Sequence, residues 1–283
     1  FGIIPLLFFS RNKIIHLYAS LCDRPYLPFF HNRKMIITSA NFVMKERIRE
    51  KLNYLTKVKK IVVQSELQKK DLLEAGIKEE CIMVLYPPVE LNYFSYQKPP
   101  ATKFTILNAS CPGKVRDLQR RGIYLLLEVD HLLQNKDVQI KLLWRGGEFS
   151  RFKERIRSNE LKNTVIENKI HTDMNFQYAQ VHCTIIPYLK LDENLKLIPT
   201  SVLESLAAGK PVLVSSRTGI AEIVTKEKCG VVFEPSKNGL LKAITDIQKN
   251  YNLYQRNCRK TAEKYFSQET FLKKHEAIYN SLS

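Results

Sequence analysis

Several features that mark common protein classes are missing from this chain. No apolar run reaches the roughly 18 residues that a membrane-spanning helix needs, so no transmembrane segment is predicted. The six cysteines form no Cys-x-x-Cys pair, and some lie in apolar runs such as residues 181–186. This pattern predicts free, mostly buried thiols in a reducing compartment. His171 and His182 lack the closely spaced ligand pairs that zinc requires, so no metal site is predicted.

Acidic residues are also few. The chain has 28 Asp and Glu against 45 Lys and Arg, which gives a formal net charge of +17. In residues 45–60, seven basic side chains stand against Glu46 and Glu50. Apolar residues recur there at helical spacing, which predicts a basic amphipathic helix. Because no helix-turn-helix, zinc-finger or RNP-type motif accompanies the charge, we expect an anionic membrane surface or a polyanionic acceptor rather than nucleic acid.

The 283 residues correspond to about two domains. The chain opens on an apolar segment, residues 1–9, without an initiator Met or a basic leader, which predicts the interior of a longer protein. Apolar runs then alternate with helical patterns, as in α/β proteins with parallel sheets. Strands are predicted at residues 12–18, 34–39, 59–65, 81–86, 103–109, 138–144, 182–187 and 211–215. The Pro-containing stretch 95–102 has the composition of a linker.

Residues 199–224 are the most informative segment. They predict a helix from Ser201 to Ala208 that ends at Gly209, then a buried strand, then a turn at Gly219 into a second helix. A helix N-terminus offers unpaired N–H groups and positive potential to a phosphate, and Glu204 lies about one turn inside the helix. The alternative is a capping box, in which Ser201 and Glu204 satisfy only their own helix.

This segment resembles the donor-site signature of family 4 glycosyltransferases (glycosyl transferases group 1). The resemblance extends over about residues 59–283. It implies the GT-B fold, with two Rossmann-like domains facing across a cleft, and transfer of a sugar from a nucleotide-diphosphate donor. The domains would be 1–94, an incomplete acceptor-side domain; 95–262, the donor domain; and 263–283, a helix that returns to the first domain.

The resemblance also implies a donor site. Arg121-Gly122 matches the Lys-Gly pair that holds the diphosphate, with arginine in place of lysine. Arg116, or alternatively Lys114, matches a preceding basic residue. The remaining donor-binding candidates are Gly146, Lys196, Thr200, Ser201 and Glu204. Lys196 stands where the family usually has the first glutamate of Glu-x7-Glu, which leaves sugar recognition open.

Catalysis and partners follow from the same resemblance. We expect retention at the anomeric carbon, a glycan or lipid-linked acceptor, no cofactor beyond the nucleotide-sugar substrate, and no metal. The absence of Asp-x-Asp, the manganese signature of the other large glycosyltransferase fold, agrees with this. His16 is a candidate acceptor-side histidine by position only.

We expect a cytoplasmic protein that lies at the membrane face, and a fragment that binds donor without turnover. Two alternatives stay open. One is a catalytically silent GT-B subunit that binds a partner or a membrane, and the other is a nucleotide-sugar 2-epimerase.

Overall fold

The computed structural model describes residues 14–21, 34–39, 41–96, 98–101, 103–109, 114, 117–134, 136–144, 149–156, 161–191, 195 and 197–282. The chain forms two compact units. Unit 1 is drawn from residues 1–87, 192–197 and 269–283, and unit 2 from residues 88–191 and 198–268.

Ten strands and twelve α-helices are described. The strands are β1 Ile15–Ala19, β2 Met35–Ser39, β3 Lys60–Val63, β4 Ile82–Val84, β5 Phe104–Asn108, β6 Val138–Trp144, β7 Thr164–Asn168, β8 Cys183–Ile186, β9 Val212–Ser215 and β10 Gly230–Phe233. The helices are α1 Lys45–Glu50, α2 Leu52–Leu55, α3 Glu66–Glu74, α4 Asp117–Arg120, α5 Ile123–Val129, α6 Phe149–Ile156, α7 Met174–Ala179, α8 Thr200–Ala207, α9 Ala221–Glu227, α10 Lys237–Lys249, α11 Tyr251–Phe266 and α12 Gln268–Asn280. Two short 3-10 helices span Glu79–Cys81 and Asp130–Leu133.

Unit 1 contains a parallel sheet in the order β1-β2-β3-β4. All five residues of β2 are buried, as expected for a central strand covered on both faces. The Ser65 side chain accepts a hydrogen bond from the Gln68 amide and begins α3, and Gly76, with φ 102°, follows its end. Ile278 of α12 packs in a buried cluster with Ile36.

The segment 45–60 differs from the expected single amphipathic helix. It forms α1 and α2, which are separated at Lys51, and then enters β3. Ile48, Leu55 and Val58 are buried in the core of unit 1. The apolar stripe therefore stabilises the protein's own core, because burying these side chains removes them from water as effectively as a lipid surface would.

Unit 2 contains a six-stranded parallel sheet in the order β10-β9-β8-β5-β6-β7. The chain starts in the middle at β5, proceeds outward through β6 and β7, then returns to β8 on the other side of β5. Its core contains Ile106, Leu126, Ile140, Ile185 and Leu213. This is a doubly wound sheet whose order reverses between β5 and β8, where ligands of such sheets bind. The predicted α/β class with Rossmann-like units is confirmed.

Within the described ranges, no helix combines the length and the apolar character needed to cross a membrane.

Candidate functional site

The candidate site lies at the carboxyl ends of β5 and β8, where the strand order of unit 2 reverses. Gly122 has φ +72°, and a Cβ placed on it would lie 1.8 Å from the Pro187 carbonyl oxygen, immediately after β8. The Leu189 amide also donates to the Arg120 carbonyl at 2.9 Å. The segment that carries Arg121 is therefore fixed against the chain that leaves β8.

The helix that follows β8, α8, begins without a side-chain cap. Its N-cap residue is Pro199, and no side chain there accepts a hydrogen bond from the first turn. Ser201 lies inside the helix rather than before it, and within the described part of the chain its buried Oγ has no hydrogen-bond partner. The capping box of the alternative interpretation therefore does not form. The Val202 amide donates to the Pro199 carbonyl at 3.0 Å, so the Thr200 and Ser201 amides are the first-turn N–H groups that can bind an anion.

Glu204 is half-buried on α8, and its carboxylate is held by a neighbouring helix. Its Oε2 accepts a hydrogen bond from the hydroxyl of Tyr178, which lies on α7, at 2.8 Å. Burial raises the pKa of Glu204, and the Tyr178 hydrogen bond opposes that rise. A carboxylate with one oxygen engaged keeps acceptor capacity for hydroxyl groups of a ligand.

The basic residues of the candidate site differ in their surroundings. Arg120 pairs with Asp117 at 2.9 Å across one turn of α4, so its charge is partly compensated. Arg121, which we selected from the sequence, is half-buried beside Gly122. Lys114 is exposed. Three further candidates, Arg116, Gly146 and Lys196, lie outside the described residues.

Two contacts at this site were missed by sequence reasoning. Tyr178 bonds to Glu204 across 26 residues of sequence. The Ser215 hydroxyl donates to the Tyr188 carbonyl at 2.6 Å, which joins the end of β9 to the chain that leaves β8. Tyr178 stands in an ordinary helical pattern, so no local signal identified it. For the bond between Ser215 and Tyr188, the sequence indicated only that Ser215 ends a predicted strand.

The His16 side chain on β1 is engaged in hydrogen bonds within unit 1. Its Nδ1 lies 2.8 Å from the Tyr279 hydroxyl and its Nε2 lies 2.7 Å from Thr38 Oγ1, so both ring nitrogens are engaged. The pKa of His16 is lowered to about 4, mainly by burial and to a smaller extent by the nearby His275. The ring is therefore neutral near pH 7 and links β1 to α12. Among the described residues, no three His, Cys, Asp or Glu side chains cluster as metal ligands.

Comparison with known proteins gives a family match and several similar folds. The model of the family "Glycosyl transferases group 1" matches residues 115–265. A glycosyltransferase from Rickettsia africae ESF-5 aligns with a TM-score of 0.78 at 20% identity, over 99% of this chain and 79% of that one. Sucrose-phosphate synthase from Thermosynechococcus elongatus aligns with a TM-score of 0.74 at 16% identity, over 99% and 76% of the two chains.

A third structure, Anabaena HepE in complex with UDP and glucose, aligns with a TM-score of 0.70 at 16% identity, over 88% of this chain and 72% of that one. No curated protein sequence matches the chain. At these identities the structural similarity establishes the fold, and the expected GT-B fold is confirmed.

Proposed function

The chain belongs to the glycosyl transferases group 1 family, and we propose that it moves a sugar from a nucleotide-diphosphate donor to a glycan or lipid-linked acceptor. The observation that carries the proposal is the uncapped N-terminus of α8 beside the strand-order reversal of unit 2. The Gly122 contact with Pro187 brings Arg121 to the same edge of the sheet. Anabaena HepE was solved with UDP and glucose, which supports a nucleoside diphosphate as the leaving group.

The proposed roles follow from the chemistry of the reaction. Negative charge develops on the diphosphate as the sugar leaves, and fixed donors around that position stabilise the transition state. Arg121 and the first-turn amides of α8 would supply these donors, and Arg116 and Lys196 would add positive charge. Glu204 would accept hydrogen bonds from the ribose hydroxyls. Retention at the anomeric carbon belongs to the same proposal, and NMR of the product's anomeric proton tests it.

Association with an anionic membrane surface is the second part of the proposal. Arg47, Arg49, Lys57 and Lys59 are exposed around α1 and α2, while the apolar stripe of this segment is buried. Attachment at the cytoplasmic face would thus be electrostatic, at about 1 kcal/mol per basic residue, and salt would weaken it. Sedimentation with phosphatidylserine vesicles at rising salt tests this, and binding that is insensitive to salt or to lipid charge contradicts it.

The donor site is tested by calorimetric titration with UDP, GDP and ADP. Arg121→Ala is expected to weaken binding of the preferred nucleotide about 10- to 100-fold, because a charge-assisted hydrogen bond contributes about 1.5–3 kcal/mol. Glu204→Gln is expected to weaken nucleotide binding and to leave the melting temperature nearly unchanged, since Glu204 takes no part in a helix cap. Arg256→Ala, an exposed arginine of unit 2, is the control. Unchanged affinity in both site variants would remove these residues from the site.

A further inference from the structure

We propose that Tyr178 is a positioning residue that orients the Glu204 carboxylate toward the ribose hydroxyls of the donor. The inference rests on the proposed function, because Glu204 is the residue assigned to the ribose. Tyr178 lies on another helix, α7, and the sequence did not identify it. Its proposed role is in recognition of the ribose, through Glu204.

The Tyr178 hydroxyl has one hydrogen and two possible acceptors. It lies 2.8 Å from Glu204 Oε2 and 3.1 Å from the Ser201 carbonyl oxygen. The carboxylate is both nearer and charged, and hydrogen bonds to charged acceptors are shorter and stronger than neutral ones. The hydrogen is therefore directed to Glu204, and this bond restricts rotation of the carboxylate.

The Tyr178 ring is itself fixed in place. It is fully buried, and its centroid lies 5.8 Å from that of Phe94 in an edge-to-face contact. The helix that carries it is capped by Asp173, whose carboxylate accepts from the Phe176 amide at 3.0 Å. The Tyr93 hydroxyl donates to the same carboxylate at 3.1 Å. The position of the donor is thus determined by packing and not by its bond to Glu204.

Burial also makes Tyr178 a permanent donor. It raises the pKa of the Tyr178 hydroxyl well above its usual value, and the adjacent Glu204 raises it further. The proton therefore stays on the tyrosine at neutral pH. In the proposed arrangement, Glu204 Oε2 keeps the bond from Tyr178 and Oε1 accepts from the ligand diol.

The test is a binding cycle between the Tyr178 hydroxyl and the ribose hydroxyls. UDP, GDP and ADP are first titrated to find the nucleotide that binds most tightly. The affinity for that nucleotide is then compared with the affinity for its 2′,3′-dideoxy form. We expect Tyr178→Phe to weaken the ribonucleotide about tenfold, as for one charge-assisted hydrogen bond, and to leave the dideoxy form within about twofold. Tyr254→Phe is the matched control, because the Tyr254 hydroxyl bonds a different carboxylate, Asp246, at 2.9 Å.

Each outcome has one meaning. An equal loss for both nucleotides in Tyr178→Phe, or no loss for either, overturns the positioning role. Failure of the wild-type chain to bind any of the three nucleotides overturns the proposed function instead. If Tyr178→Phe does not fold, 3-fluorotyrosine at position 178 keeps the hydroxyl and makes it a stronger donor. The preference for the ribonucleotide must then rise, and an unchanged preference refutes the inference.

Discussion

Replacing Gly122 with alanine is expected to destabilise unit 2 and to disorganise the edge of the sheet that carries Arg121. Gly122 has φ +72°, and its added Cβ would lie 1.8 Å from the Pro187 carbonyl oxygen and 2.7 Å from its carbonyl carbon. The left-handed conformation costs a residue with a side chain about 1–2 kcal/mol. Relieving the overlap costs about 1–3 kcal/mol, as other insertions into packed regions do.

A third contribution comes from the hydrogen bond between the same two segments. Moving Gly122 away from Pro187 strains the bond from the Leu189 amide to the Arg120 carbonyl, which contributes about 1 kcal/mol. Together these effects predict a loss of about 3–6 kcal/mol in the free energy of unfolding, a large part of the 5–15 kcal/mol typical of a folded protein. Nucleotide affinity should fall as well, because Arg121 is the adjacent residue.

Urea denaturation and nucleotide titration of the same variant provide the assay. Gly209→Ala is the matched control, since Gly209 has φ +73° in the same unit but its Cβ would meet the Tyr96 ring at 2.5 Å rather than backbone. A ring can turn aside, whereas the Pro187 backbone is held next to β8, so Gly122→Ala must destabilise more than Gly209→Ala. If both variants lose the same stability, or if Gly122→Ala binds nucleotide normally, the close approach at Pro187 does not organise the site.

Two predictions concern other parts of unit 2. Arg259→Ala should lower the free energy of unfolding by about 2–4 kcal/mol, because Arg259 Nη1 donates to three backbone carbonyls. These are the carbonyls of Leu91 at 3.2 Å, Phe94 at 2.6 Å and Ala207 at 2.9 Å. Urea denaturation compares this loss with that of Arg256→Ala, a variant of an exposed arginine. Equal losses of unfolding free energy in the two variants would refute the prediction. Burial lowers the pKa of Lys210 from 10.5 to about 8, so the unfolded chain binds that proton more tightly and the contribution of Lys210 to the free energy of unfolding rises from pH 8 to 10.5. Lys210→Met should reduce this rise in pH-dependent denaturation, and an identical slope contradicts it.

Local patterns predicted the elements that bury apolar runs or carry strong end signals. The apolar strand β6 lies at the predicted residues 138–144. The helix of the candidate site, predicted as 201–208, forms at Thr200–Ala207. The edge strand β7 was not predicted, because its half-exposed sequence, Thr-Val-Ile-Glu-Asn, lacks a continuous apolar run.

The sequence could not supply the contacts between distant segments. Ser201 and Glu204 are compatible with either a cap or a ligand site, and the choice depends on where the helix begins. The bond from Tyr178 to Glu204 is set by how α7 packs beside α8. The apolar stripe of residues 45–60 has the same spacing whether it faces lipid or a core, and only the fold shows that it faces the core.

A crystal structure of the chain with the nucleoside diphosphate that binds most tightly would locate the donor site directly. We expect density for the diphosphate at the N-terminus of α8, beside Arg121, with the ribose hydroxyls within hydrogen-bond distance of Glu204. Density for a tightly bound nucleotide elsewhere on the protein, with this edge of unit 2 empty, would contradict it.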